Sequence, residues 1–184
     1  MNDIRQAVSH LQKGNTILYP TDTIWGIGCD ATNEAAVEKI FELKQRPKEK
    51  SLIVLVDSVN MLQQYVQVTD KMKNIIAAFT VPTTLIYSDP VGLAANAVNS
   101  DNTIAIRIVK HSFCEQMMRE FGKPVISTSA NLSGERSPLH FKDISDAIKN
   151  NADHIVPGEY DTSLYKIPSK LVRINPDHSI EYLR

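Results

Sequence analysis

The sequence predicts an α/β fold, because segments with strand-like and helix-like patterns alternate along most of its length. A chain of 184 residues is long enough to bury a core of ordinary size as one domain. Its composition, with 42% hydrophobic and 22% charged residues, is typical of a globular protein. Because there is no internal repeat, low-complexity segment or long linker, we expect a single domain over residues 1–184.

The spacing of apolar residues and the positions of proline and glycine place the individual elements. In the first helix, apolar residues recur at helical spacing up to Gly14. The second helix is capped by Thr32 or Asn33 and ends near Gln45, before Pro47. Strands are predicted at residues 16–19, 24–30, 52–56, 83–88, 103–109, 124–128, 154–157, 170–174 and 179–183. Further helices are predicted at residues 60–65, 71–79, 111–121 and 141–150.

Charge and cysteine content argue against several classes of function. The net charge of -1 does not suit a protein that coats nucleic acid through bulk charge. Cys29 and Cys114 lie far apart and form no CxxC pair, which suits a reducing compartment and indicates neither a disulfide framework nor a zinc site. The N-terminus has no apolar signal core, and the longest apolar run, residues 52–56, is too short to span a bilayer. We therefore expect a cytoplasmic protein with no membrane association.

The first segment with chemical potential is "ELKQRPKEKSL", residues 42–52. A helix end followed by a proline-bent segment can turn alternate cations toward one point. Arginine offers a planar fork and lysine a point charge, a usual pair for phosphate oxygens. The alternative is a solvated charged turn, because lysine and arginine are favoured at helix C-termini in any case.

The second segment is "STSANLSGERS", residues 127–137, which leaves an apolar strand and presents several hydroxyl and amide side chains. Strand ends in α/β sheets are where ligands tend to lie, and serine and asparagine offer neutral hydrogen bonds to phosphate, carboxylate or ribose. The alternative is a turn whose hydroxyls bind their own backbone. No GxSxG motif is present, so a serine nucleophile elbow is not indicated.

The third segment is "ILYPTDTIWGIGCD", residues 17–30, where short polar side chains follow Pro20 at a strand end. Gly26 and Gly28 lie two residues apart, so their bare backbones could face one side and admit a ligand closely. A bulge or tight turn would explain the same spacing. For Trp25, packing in the core is the alternative to a site role.

Arg107 lies inside an apolar strand, where a charge usually needs a partner or an anionic ligand, unless it faces solvent. The sequence has no Walker A loop and no GxGxxG before a helix. A nucleotide enzyme built on this chain would therefore rely on cations and hydroxyls. The five histidines are scattered without metal-ligand spacing: His10, His111, His140, His154 and His178.

Three of these segments together, "YPTDTIWGIGCDA", "KQRPKEKSLIVLV" and "STSANLSG", resemble the YrdC/TsaC family of threonylcarbamoyl-AMP synthases. The resemblance implies a single YrdC-like domain with a twisted, open mixed sheet and flanking helices around a concave, positive cavity. It implies a nucleotidyltransferase that converts L-threonine, bicarbonate and ATP to L-threonylcarbamoyladenylate and pyrophosphate. The adenylate would feed a separate transferase complex that modifies tRNA, and the family is also associated with binding of tRNA and double-stranded RNA.

The resemblance also implies roles for particular residues. The KxR and SxN catalytic tetrad of the family falls on Lys44, Arg46, Ser129 and Asn131. ATP-binding residues would be Arg46, Lys50, Thr103, Ser129, Ser137 and Arg184. Threonine-binding residues would be Thr23, Arg107, Ser127 and Ser169. Mg²⁺ would accompany ATP, with no metal site made by the protein.

Two other functions fit parts of the same pattern. The cavity could hold RNA backbone in a tRNA-binding module without catalysis, although near-neutral charge and few clustered aromatic residues weigh against it. Similar domains also occur within hydrogenase-maturation carbamoyltransferases. This chain lacks the acylphosphatase-like and zinc-finger domains used in that role.

Overall fold

A nine-stranded mixed sheet organises the residues that the computed structural model describes, which are 2–163, 165–175 and 179–184. His178 lies outside them. The strands are β1 Ile17–Tyr19, β2 Gly26–Gly28, β3 Ile53–Val56, β4 Thr83–Ser88, β5 Thr103–Ile108, β6 Val125–Ser129, β7 His154–Ile155, β8 Lys170–Ile174 and β9 Ile180–Tyr182. Their order across the sheet is β7-β1-β2-β6-β3-β5-β4-β8-β9. Three neighbouring pairs are parallel, namely β1 with β7, β3 with β5 and β4 with β8, so the sheet is mixed as predicted.

The helices flank this sheet and mostly begin where the sequence predicts. They are α1 Asn2–Gln12, α2 Glu34–Leu43, α3 Val59–Leu62, α4 Asp70–Ala78, α5 Ser112–Phe121 and α6 Asp146–Lys149. The cap of α2 is Asn33, whose side chain accepts a hydrogen bond from the Ala36 N–H at 3.1 Å. Within the described residues, no helix is both long and apolar enough to cross a membrane.

The predicted helix at residues 141–150 is wrong, because the chain is interrupted in its middle. A 3₁₀ turn at Phe141–Asp143 precedes α6, and Ile144 between them is extended, with φ -73° and ψ 127°. The interruption allows Phe141 to pack on Trp25, with ring centroids 4.9 Å apart, while Ile144 itself is buried. Tertiary packing therefore overrides the helical spacing of these residues.

The two glycines of β2 make room for a neighbouring strand. A Cβ on Gly28 would lie 1.7 Å from the carbonyl oxygen of Ile126 in β6, so a side chain at this position is sterically impossible without separating the strands. A Cβ on Gly26 would lie 2.8 Å from Ser127 Oγ. The prediction that both glycines leave room for a ligand is therefore wrong for Gly28, where the missing side chain leaves room for the backbone of β6. Gly26 alone reaches the cavity described below.

Candidate active site

One cavity of about 330 Å³ lies beside the centre of the sheet and collects most of the predicted site residues. Its wall comes from the loop after β1, the segment before β3, strands β5 and β6, the start of β8, and Arg184. The predicted site residues that line it are Thr23, Arg46, Arg107, Ser127, Ser129, Ser137, Ser169 and Arg184. The other predicted residues, Lys44, Lys50, Thr103 and Asn131, are not among the described residues of the wall.

Arg107 reaches the cavity from β5 with a buried carboxylate as its partner. Its Nη2 lies 3.0 Å from Asp22 Oδ1, and both side chains are 5% exposed. The same Nη2 donates to Thr23 Oγ1 at 3.3 Å. The other oxygen of Asp22, Oδ2, accepts a hydrogen bond from the Lys110 backbone N–H at 3.2 Å. The alternative that Arg107 lies on a solvated face is therefore wrong, and its partner is an acid from the loop after β1.

The threonines of the "PTDT" segment orient one another. The Thr21 hydroxyl donates to the Ile24 carbonyl at 2.8 Å, and the Thr23 backbone N–H donates to Thr21 Oγ1 at 3.1 Å. The two hydroxyl oxygens lie 3.0 Å apart. Because the Thr21 proton is already used, the Thr23 hydroxyl donates to Thr21 and its oxygen accepts from Arg107. The loop after β1 is thus a fixed hydrogen-bonded wall.

Arg46 and Arg184 differ from Arg107 because backbone carbonyls hold them. Arg46 Nη2 donates to the Ser51 carbonyl at 2.7 Å. Arg184 donates to the Ser169 carbonyl from Nε at 3.3 Å and from Nη2 at 3.2 Å. Burial lowers the pKa of Arg46; burial, followed by the nearby charge of Arg107, lowers the pKa of Arg184. Both guanidinium groups remain cationic, since an arginine pKa starts far above neutrality.

Lys44 lies behind the cavity wall and supports the loop after β6. Its side chain is among the fully buried ones, and its Nζ donates hydrogen bonds to the backbone carbonyls of Ser129 and Asn131. The Ser133 N–H in turn donates to the Lys44 carbonyl at 2.9 Å. Burial, followed by the charge of Arg46, lowers the pKa of Lys44 to about 8. Lys44, from the segment whose cations were predicted to bind phosphate, thus donates to backbone carbonyls in the structure.

The remaining predicted residues surround the wall without forming it. The Asn131 side chain donates to the Leu132 and Glu135 carbonyls at 2.8 and 2.9 Å, which shapes the same loop. Lys50 is exposed and its Nζ lies 3.2 Å from Ser133 Oγ. The Thr103 hydroxyl donates to Asp101 at 2.6 Å. Of these, Lys50 has the freedom to turn toward a ligand, because its side chain is long and solvated.

The serines of the wall are positioned by the ends of β6 and β8. Ser127 is buried, and the absence of a side chain on Gly26 leaves room for its hydroxyl. Ser169, before β8, is 3% exposed, and its Oγ lies 2.8 Å from the Thr84 hydroxyl. These two hydroxyls and that of Thr23 line the same cavity as the Arg107 guanidinium. The cavity therefore offers neutral donors next to fixed cations.

Sequence reasoning did not give Asp22 a role, although its signal was present. An acid sits between two threonines at a strand end, and the chain also contains an arginine inside an apolar strand. A buried arginine needs a counter-charge, and a nearby loop acid is the natural source. Trp25, for which core packing was the alternative, is fully buried and also lines the cavity.

The side chains of the cavity do not make a metal site. No group of three or more His, Cys, Asp or Glu side chains able to hold a metal ion occurs in the part of the chain that the structure describes. The carboxylate of Asp22, next to the cavity, pairs with Arg107 and accepts a hydrogen bond from the Lys110 backbone N–H.

The open mixed sheet and the cavity lined by arginine and hydroxyl groups define an α/β protein with a site suited to anionic ligands. Residues 9–184 match the Sua5_yciO_yrdC family, whose description is "Telomere recombination", and the chain belongs to this family. The resemblance found in the three sequence motifs is thereby confirmed.

Several relatives carry the name Threonylcarbamoyl-AMP synthase, and two of them illustrate the similarity. The one from Vibrio vulnificus (strain YJ016) is 31% identical over 163 residues, which cover 86% of this chain and 88% of that protein. The one from Aliivibrio fischeri (strain ATCC 700601 / ES114) is 38% identical over 138 residues, which cover 73% of this chain and 75% of that protein.

Solved structures show the same fold. The crystal structure of P. abyssi Sua5 complexed with L-threonine matches with a TM-score of 0.86 at 24% identity, covering 98% of this chain and 53% of that chain. This chain therefore spans about half the length of Sua5. E. coli YciO matches with a TM-score of 0.83 at 23% identity, covering 98% of this chain and 87% of that chain. The predicted α/β fold with an open mixed sheet is confirmed.

Proposed function

We propose that this chain is a threonylcarbamoyl-AMP synthase, which joins L-threonine, bicarbonate and ATP into L-threonylcarbamoyladenylate and releases pyrophosphate. The observation that carries the proposal is that one cavity contains Arg107, paired with an acid, together with Arg46 and Arg184, held by carbonyls. Such a cavity can take an amino acid and a polyphosphate side by side. The names of the relatives support the same activity.

The amino-acid end of the cavity would be formed by four of its lining residues, Thr23, Arg107, Ser127 and Ser169. Arg107 would donate to the threonine carboxylate, for which its planar fork is suited in a way that lysine is not. The neighbouring hydroxyls would take the remaining polar groups of the substrate. Because hydrogen bonds join Thr21 to Thr23 and Thr23 to Arg107, this end would be preorganised.

The nucleotide end of the cavity would be formed by four of its lining residues, Arg46, Arg184, Ser129 and Ser137. The two guanidinium groups would contact phosphate oxygens, and the serines would add neutral hydrogen bonds. Lys50 would turn from Ser133 toward the phosphates. Thr103, which faces Asp101, is retained as a proposed contact on the nucleotide side.

The reaction needs alignment and charge neutralisation, and it needs no protein nucleophile. The neutral threonine amine condenses with bicarbonate to form an N-carboxylate: a C–N bond forms, a C–O bond of bicarbonate breaks, and its oxygen leaves as water with the amine proton. One carboxylate oxygen then attacks the α-phosphorus of ATP, and the bond to the bridging oxygen breaks to release pyrophosphate. Arg46 and Arg184 would neutralise the phosphates during this step, while Arg107 holds the amino acid for attack. Both cysteines, Cys29 and Cys114, are buried, and burial raises the pKa of each thiol, so neither is suited to be a nucleophile.

Lys44 and Asn131 would act by positioning the catalytic loop. Both bind backbone carbonyls of residues 129–135 and thereby set where Ser129 points. The four tetrad residues would form one functional unit, in which Arg46 and Ser129 contact the ligand. Lys44 and Asn131 hold the unit together.

The proposal extends to the partners of the reaction. Mg²⁺ would enter with the ATP phosphates. The adenylate product would pass to a separate tRNA-modifying transferase complex. Since ATP would be its substrate and tRNA the molecule modified with its product, the protein would act in the cytoplasm.

The test is pyrophosphate release by the purified protein in reactions from which one component at a time is omitted. Release from ATP should require both L-threonine and bicarbonate, and should be lost in Arg46→Ala. Release without L-threonine would mean that the chain is an ATP pyrophosphohydrolase. ATP binding without any release, together with a tRNA complex that persists at high salt, would instead support the binding-module alternative.

A further inference from the structure

The three arginines of the cavity differ in how their charge is compensated. In the part of the chain that the structure describes, Arg46 and Arg184 donate only to backbone carbonyls, and no carboxylate forms an ion pair with either. Arg107 alone of the three pairs with a carboxylate, at 3.0 Å from Asp22. A backbone carbonyl carries no net charge, so it does not compensate the charges of Arg46 and Arg184, whereas Asp22 compensates the charge of Arg107.

Asp22 compensates Arg107 from behind the cavity wall. Its carboxylate is 5% exposed, and it is not among the described residues that line the cavity. Its second oxygen is fixed by the Lys110 backbone N–H, so the acid cannot easily turn away from Arg107. At the same time Arg107 Nε has no hydrogen-bond partner in the described part of the chain. The guanidinium thus retains a donor while its charge is balanced.

We propose that Asp22 is a specificity-determining residue: by neutralising Arg107, it leaves phosphate groups to Arg46 and Arg184 and reserves Arg107 for one carboxylate. This inference rests on the proposed function for the identity of the two substrates. Asp22 acts through Arg107 and does not touch the substrate, so it is a positioning residue.

The physical reason is the difference between a cation and a neutral pair of hydrogen-bonding groups. Arg107 alone would attract a multiply charged phosphate strongly, and Asp22, 3.0 Å from its Nη2, offsets part of that attraction from behind the wall. A carboxylate can instead be bound through directed N–H donors, for which balanced charge is sufficient. Without Asp22, three uncompensated arginines would share one cavity of about 330 Å³, and phosphate would compete for every part of it.

The experiment compares wild-type protein with Asp22→Asn, which removes the charge and retains an oxygen for the Lys110 N–H. L-threonine binding is measured by calorimetry at increasing inorganic phosphate. In the wild type, we expect the Kd for L-threonine to change less than about twofold. In Asp22→Asn, phosphate at about ten times its own Kd should raise the Kd for L-threonine about tenfold, as direct competition requires.

A second readout counts phosphate directly by equilibrium dialysis. Asp22→Asn should bind one more phosphate per chain than the wild type, and Asp22→Asn combined with Arg107→Met should return to the wild-type number. The matched control is Asp30→Asn, which removes another buried acid, paired with Lys123 at 2.9 Å and outside the cavity wall. It should leave both readouts unchanged. A purely structural role of Asp22 would not move the phosphate count.

Each outcome decides the question. Unchanged phosphate binding and no competition in folded Asp22→Asn would overturn the proposal. Should this variant lose its native circular dichroism spectrum, Asp22→Ser removes the same charge with a smaller side chain and replaces it in both assays. If wild-type protein binds no L-threonine at all, the proposed function fails, whereas the phosphate count still tests the role of Asp22.

Discussion

The ammonium group of Lys44 donates a hydrogen bond to the backbone carbonyl of Ser129, although the two residues lie 85 positions apart. The bond joins the end of α2 to the end of β6, and a second bond from the same nitrogen reaches the Asn131 carbonyl. Two segments that were singled out separately in the sequence are therefore one structural unit. The geometry of the nucleotide end depends on a lysine that does not line the cavity.

Replacing Lys44 with methionine should weaken both folding and turnover. Two buried carbonyls would lose their donor, and we expect the free energy of unfolding to fall by about 1–3 kcal/mol. Urea unfolding measures the loss, and pyrophosphate release measures the effect on turnover. The control is Lys39→Met on the same helix, which removes one bond to the Gly14 carbonyl from an exposed side chain and should have a smaller effect.

The lowered pKa of Lys44 predicts a pH dependence of stability. Burial lowers the pKa from the ordinary value of 10.5 to about 8, so between these values the unfolded chain binds more protons than the folded one. The contribution of this group to the free energy of unfolding should therefore rise with pH across that interval, by at most about 3 kcal/mol. The neutral amine still has two N–H donors for the two carbonyls.

The measurement is urea unfolding at several pH values for the wild type and Lys44→Met. The difference between them should grow in favour of the wild type from about pH 8 to the lysine pKa of the unfolded chain near 10.4. A difference that stays constant over this interval would show that Lys44 titrates at its ordinary pKa.

The position of Lys44 shows where sequence reasoning reaches its limit. The family resemblance implied that Lys44, Arg46, Ser129 and Asn131 act as one tetrad, and the structure joins the two segments through the hydrogen bonds of Lys44. The resemblance did not indicate that Lys44 turns inward while Arg46 faces the cavity. Gln45 between them has φ 49°, a left-handed conformation that its side chain does not signal, and this residue changes the direction of the chain.

Sequence reasoning reached the same limit at residues 141–150. Helical spacing at residues 141–150 was real, but burial of Ile144 and the contact of Phe141 with Trp25 required an extended residue. The continuous apolar run at residues 52–56 was located well, because the structure has strand β3 at Ile53–Val56. The family resemblance alone put Thr103 and Lys50 on the nucleotide side, and the structure shows Thr103 bound to Asp101, two residues away, and Lys50 3.2 Å from the hydroxyl of the distant Ser133.

Replacing Arg107 with lysine should selectively impair use of L-threonine. Lysine keeps the charge but loses the fork that contacts Asp22 and Thr23, so we expect KM for L-threonine to rise about 10- to 100-fold, with KM for ATP little changed. Steady-state pyrophosphate release gives both constants. Arg173→Lys, at an exposed pair 3.8 Å from Glu181, is the control. An equal rise in both KM values would argue against a threonine-specific role.

Replacing Arg46 with alanine should reduce kcat by about 100- to 1,000-fold, because one donor to the developing phosphate charge is lost. L-threonine binding, measured by calorimetry, should be retained. Lys48→Ala is the matched control, since Lys48 lies two residues away and pairs with Glu38 at 2.7 Å on the surface. Turnover close to wild type in Arg46→Ala would remove this residue from the proposed mechanism.

Replacing Gly28 with alanine should destabilise the fold by more than about 4 kcal/mol, because the new Cβ would overlap the Ile126 carbonyl and force β2 from β6. Gly158→Ala is the control, since its Cβ would meet Phe141 at an ordinary 3.8 Å. Thermal unfolding compares the two variants. A Gly28→Ala protein as stable as the control would show that the two strands can separate at little cost.

The most direct test of the central claim is detection of the product itself. Purified protein is incubated with ATP, L-threonine and ¹³C-bicarbonate, and the reaction is examined by mass spectrometry. We expect threonylcarbamoyl-AMP carrying the label, formed in amounts equal to the pyrophosphate released and absent with Arg46→Ala. Pyrophosphate release without labelled adenylate, or no reaction from a protein that binds both ATP and L-threonine, would contradict the account.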